Sequence, residues 1–170
     1  MRCSSRFLLI TGLASMFALP QPLLAAPVAS AQRDAAAAFV ATQAFIVGRL
    51  GRDCLPVLKR EETPRDYLDK WQKENARYHD AATRYIERRL AEIEDPVERD
   101  QTEAAYYQSV QAKGMGAVNA LFKKGVNEEV CKYALTLIDG GSMNIEPMAT
   151  AGKGSLLEDL NGLADLMKAP

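Results

Sequence analysis

Thr63 to Glu94, TPRDYLDKWQKENARYHDAATRYIERRLAEIE, reads as one long amphipathic helix with a marked beginning. Thr63 stands where an N-cap hydroxyl accepts a backbone N–H, Pro64 suits the first helical position because it has no N–H to leave unpaired, and Asp66 complements the positive end of the helix dipole. Leu68, Trp71, Asn75, Tyr78, Ala82, Ile86, Leu90 and Ile93 recur every three or four residues, which places them on one face. The opposite face carries Asp66 with Lys70, Asp69 with Lys73 and Asp80 with Arg84. In each the acid precedes the base by four residues, the favourable order on a solvated helix.

Downstream, Asp95 and Pro96 repeat the cap-then-proline pattern, which predicts a second long helix ending near Lys124, before Gly125. Val97, Ala104, Tyr107, Val110, Gly114, Val118 and Leu121 form its inner stripe, with Gly114 and Gly116 expected at a close approach to a neighbouring backbone. An unbroken helix of about 60 residues would be about 90 Å long, too long for a small domain to bury, so the two are read as a tight αα-hairpin. Upstream, Ala35–Leu50 predicts an Ala-rich helix stopped at Gly51, followed by a Pro56 turn that delivers Cys54 and Leu55 to the core. Asn127 caps a helix over Glu128–Asp139 that ends at Gly140-Gly141. Residues 142–154 read as a loop, and Ser155 with Glu158 forms a capping box for a Leu-rich final helix. The expected fold is all-α, a four- to five-helix bundle built around a long αα-hairpin.

The N-terminus has the order of a secretory signal. Arg2 and Arg6 precede an uncharged apolar run, Phe7–Leu19, too short to span a bilayer, and small residues follow. Ala29-Ser30-Ala31 fits the A-x-A cleavage pattern, whereas a cut after Ala26 would put Pro27 just beyond the scissile bond. Residues 1–31 are therefore expected to be a cleavable signal peptide and 32–170 a single helical domain, soluble in a periplasm or outside the cell, with no membrane insertion after cleavage. Removing Arg2 and Arg6 and no acid leaves 19 of the 21 basic residues against 22 acidic ones. That mildly acidic, interleaved charge argues against nucleic acid as a partner. With Cys3 removed, Cys54 and Cys131 remain in an oxidising compartment. A disulfide between them is expected, adding roughly 4 to 5 kcal/mol on the chain-entropy model.

His79 is the one histidine. That excludes H-E-x-x-H zinc sites and the paired Glu-x-x-His sets of di-iron bundles, and no C-x-x-C or C-x-x-C-H is present. Ala151–Ser155, AGKGS, lacks the serine directly after the lysine that a phosphate-binding loop requires. No catalytic residue, metal or cofactor is expected. Glu87, Glu92, Glu94, Glu98, Asp100 and Glu103 crowd the hairpin tip, where solvated charges are ordinary; an enzyme using such carboxylates or His79 is the alternative function.

The candidate binding residues are Tyr67, Trp71, Asn75, Tyr78 and His79, which bring the sole Trp and sole His beside two Tyr on neighbouring turns. Such a stripe most often packs inside a bundle, but Trp and Tyr are also common interface anchors. The leading expectation is a non-enzymatic binding protein, an inhibitor, immunity or envelope accessory protein, with another extracytoplasmic protein as partner. A carrier with an apolar pocket lined by Trp71, Tyr78 and Tyr107 is a further alternative.

Overall fold

The computed structural model describes residues 28–152 and 155–168, so the predicted leader lies outside the described residues except for its last four. Among the described residues there are seven helices and no strand: α1 Val28–Cys54, α2 Pro64–Glu74, α3 Ala76–Ala91, α4 Pro96–Leu121, α5 Glu128–Asp139, α6 Ile145–Ala151 and α7 Leu156–Leu166. None of them is long and apolar enough to cross a membrane. Helix α1 begins at Val28, upstream of the predicted cut after Ala31.

Helix α1 is the axis of the molecule. Its Ala36, Ala37, Val40, Val47 and Leu50 are almost wholly buried, and α2, α3, α4, α5 and α7 all pack on it. The expected stop at Gly51 is overturned, because α1 runs on to Cys54. A Cβ on Gly51 would stand 3.0 Å from Cδ1 of Tyr67, so the missing side chain lets α2 lie close. That packing outweighs the roughly 1 kcal/mol that a glycine costs inside a helix. Cys54, at the end of α1, and Leu55, in the turn after it, are both buried as expected. Cys54 and Cys131 form a disulfide with their Cα atoms 5.0 Å apart, tying the end of α1 to α5.

The Thr63–Glu94 helix is two helices meeting at Asn75, whose φ of −108° and ψ of 17° depart from the helical values. The amide of Asn75 donates to the Trp71 carbonyl at 2.8 Å, a local bond that competes with the ladder. The ladder still bridges the break through Asn75 N–H to Trp71 O and His79 N–H to Asn75 O. Three sequence-read caps are formed: Thr63 Oγ1 accepts from Asp66 N–H, Asp95 Oδ1 from Val97 and Glu98, and Asn127 Oδ1 from Val130. Ser155 is different, since its near-helical backbone turns the hydroxyl to the Asp159 carboxylate rather than to a backbone N–H. On the outer face Asp69 reaches Arg65 at 3.9 Å.

Residues 142–154 are not all loop. Helix α6 forms because Ile145 and Ala149 are buried and the Ile145 N–H donates to Asn75 Oδ1 at 2.8 Å. The predicted inner stripe of α4 holds only from Val110 onward: Val110, Gly114 and Val118 are buried, whereas Val97 is 62 % and Tyr107 49 % exposed, and Ala104 is exposed too. Gly114 meets the Phe45 ring rather than a backbone, and Gly116 meets nothing within 4 Å.

Candidate functional site

The predicted binding stripe is mostly structural. Tyr67, Trp71, Asn75 and Tyr78 are buried, and each polar tip ties α2 or α3 to a segment of the C-terminal third. Tyr67 OH donates to Asp139 at 3.1 Å, a carboxylate that also accepts from Arg60 at 2.6 Å, and the Arg60 guanidinium lies over the Tyr67 ring. Burial, reinforced by Asp139, pushes the Tyr67 phenol well above its ordinary range. Trp71 Nε1 donates to the Met143 carbonyl at 3.2 Å, Asn75 Nδ2 to Asn144 at 3.1 Å, and Tyr78 OH to Asn161 at 3.1 Å. With those groups occupied, binding energy from them would have to come at the cost of the fold. The carrier pocket expected from Trp71, Tyr78 and Tyr107 does not form, because the first two lie in the core and Tyr107 lies exposed on α4 among the residues of a different cavity.

His79 is the one member of the five that is only partly buried. It lines a cavity of about 420 Å³ whose floor is α1 and whose walls are α3 and α4. Val40, Ala41, Ala44 and Phe45 recur on one side of α1 to make the floor; Ile86 and Leu90 come from α3, Tyr106, Tyr107 and Val110 from α4. The charged residues of this cavity are both acids, Glu87 and Glu103. Among the described residues, neither has a cation within ion-pair distance.

A second cavity, of about 690 Å³, shares Ala44, Phe45 and Gln111 with the first and follows it toward the C-terminal end of α1. Gly48, Leu68 and Met115 supply its apolar surface, and its charged residues are all arginines: Arg49, Arg52 and Arg65. Arg49 and Arg52 share Asp53 at 2.5 and 3.4 Å, and Arg49 Nη1 also reaches the Met115 sulfur at 3.3 Å. Phe45 stands between the two cavities with its ring against Gly114. On the far side of Ile86, Leu90 and Tyr106 a third cavity, of about 700 Å³, opens by Asp34, Arg89 and Lys113. Burial, then Tyr107 and Asp34, raise the Tyr106 phenol to about 12, so it stays a neutral donor, and its OH lies 3.4 Å from the Ala37 carbonyl.

The Thr83 hydroxyl, beside His79, donates to the His79 carbonyl at 3.0 Å rather than to the ring, and the His79 ring reaches only Asp80, at 3.5 Å. Among the described residues no three His, Cys, Asp or Glu side chains gather as a metal would require. What the groove offers is apolar area, phenols and charge of opposite sign at its two ends. Sequence reasoning passed over it because its lining comes from four separate helices, α1 to α4. The legible signal was the small-residue spacing Ala41, Ala44 and Gly48 on α1. No protein-family profile, curated protein or solved structure matches the chain.

Proposed function

We propose that this chain is an exported, non-enzymatic helical binding protein, and that the groove on α1, walled by α4 on one side and by α2 and α3 on the other, receives another extracytoplasmic protein. The observation that carries the reading is the pair of adjoining apolar cavities that leave one side of the central helix uncovered. Soluble domains rarely leave a continuous apolar strip open on the element that organises their core, and such strips mark interaction sites. The formed Cys54–Cys131 disulfide agrees with an oxidising compartment and hence with residues 1–31 acting as a leader. In this reading α3 and α4, joined through residues 92–95, are the arms of the long hairpin, spread apart to form the groove walls. Taking α2 with α3 as one bent helix and α6 as a turn, the bundle has five long members.

Photo-crosslinking in the producing cell tests the reading. A photo-reactive phenylalanine analogue at Tyr107 or Gln111, on the groove, is expected to give a discrete protein adduct. The same analogue at Tyr133, exposed on α5, is expected to give none. Adducts that are absent from the groove positions, or equally strong at Tyr133, contradict the proposal.

A further inference from the structure

We infer that the groove's occupant is an amphipathic α-helix of the partner, lying antiparallel to α1, with acidic residues in its first turn over Arg49, Arg52 and Arg65 and basic residues in its last turn over Glu87 and Glu103. The inference rests on the groove being a protein-docking site and adds the occupant's structure, polarity and charge.

The form of the occupant follows from the walls. All of them are helices, whose backbone groups are already paired within each helix, so the groove offers no ladder to an extended strand. A strand laid there would desolvate its own N–H and C=O groups without partners, whereas a helix arrives with its backbone bonded. Ala41 and Ala44 keep the floor low, which lets a helix axis come within the usual 8–10 Å packing distance of α1, while Leu68 lies over Gly48 and offers the occupant an apolar side chain there. From Val40 to Arg52 the groove follows about 18 Å of α1, or about three turns of an occupant at 1.5 Å per residue.

Polarity follows from charge. The end nearer Val40 presents Glu87 and Glu103 and no cation; the end nearer Arg52 presents three guanidinium groups against the two carboxylates of Asp53 and Asp69. A fatty acid or other single-headed amphiphile would satisfy one end and leave the other unmatched. A helix stabilised by its own dipole carries acids at its N-terminus and bases at its C-terminus, and so matches both ends in one orientation only.

The test uses two fluorescein-labelled 14-residue amphipathic peptides of identical composition, one with glutamates in the first turn and lysines in the last, the other with these reversed. Binding to the full mature protein is read by anisotropy, with dodecanoate as competitor. The acid-first peptide is expected to bind at least about tenfold more tightly, and Glu87→Lys with Glu103→Lys to erase or reverse that preference. Both positions are exposed, so these variants keep the fold, which circular dichroism checks. Glu87→Gln with Glu103→Gln, a milder pair, is expected to reduce the preference. Equal affinity for the two peptides, no measurable binding of either, or full displacement by dodecanoate overturns the inference. Crosslinked protein adducts at Tyr107 with no peptide polarity would remove this inference and leave the docking function standing; loss of both would remove both.

Discussion

Asn75 bonds to three groups with one side chain: its amide donates to Trp71 O and to Asn144 Oδ1, and its oxygen accepts from the buried Ile145 N–H. Asn75→Ala leaves that N–H and the Asn144 acceptor unpaired, and is expected to cost about 2–4 kcal/mol in urea denaturation. A loss below about 0.5 kcal/mol would show that water replaces the amide. The opposite case is Gln43, whose Oε1 is buried with no partner among the described residues. Gln43→Met is expected to raise stability by about 1 kcal/mol, and a fall would contradict that unpaired state. Three phenols set the alkaline limit. Burial, then the hydrogen bond to Asp34 at 2.7 Å, raises Tyr85 to about 12, while Tyr106 is raised to about 12 and Tyr67 further still. The folded state therefore keeps protons that the unfolded chain loses near pH 10. Stability is full below that pH and falls as pH climbs toward 12 and beyond. Tyrosinate absorbance should lag in the folded protein and appear together with unfolding; complete ionisation near pH 10 with the fold intact would contradict it. Asn75 was legible as a buried amide needing partners, because its spacing matched the core. Its partners were not, since Asn144 and Ile145 lie some 70 positions away in the chain.

Helix α4 contains a matched pair of glycines. A Cβ on Gly114 would overlap the Phe45 ring, whereas one on Gly116 meets open space. Overpacking costs about 1–3 kcal/mol and the gain in helix propensity is about 1 kcal/mol. Gly114→Ala should therefore lower the melting temperature and Gly116→Ala raise it; a rise for both would show that Phe45 moves aside freely. The same competition explains which elements the sequence revealed. Starts at Thr63, Asp95 and Asn127 were readable because a cap is a local bond between a side chain and the next turn. The C-terminal end of α1 and the existence of α6 were not, because they depend on Tyr67 lying over Gly51 and on Asn75 holding Ile145. The aromatic stripe was found, but helical spacing does not say whether solvent or another helix covers it. Here α5, the turn leading into α6, and α7 supply the partners for its polar tips.

At the scale of the whole molecule, α1 is covered by five helices and left open along one strip, with acids toward one end and arginines toward the other. The all-α class and the Cys54–Cys131 pairing were readable from periodicity and cysteine count. The strip was legible only in the small residues Ala41, Ala44 and Gly48 of α1, because its walls depend on where α2, α3 and α4 stand relative to that helix. Ala44 lies on the floor of both cavities and is partly exposed. Ala44→Trp therefore fills the strip from within while sparing the buried core. The most direct test compares groove crosslinking at Tyr107 in the protein with and without Ala44→Trp, alongside thermal unfolding of each. The account predicts that the adduct disappears while the melting temperature stays within about 3 °C. An undiminished adduct in the folded variant would contradict a partner seated on α1.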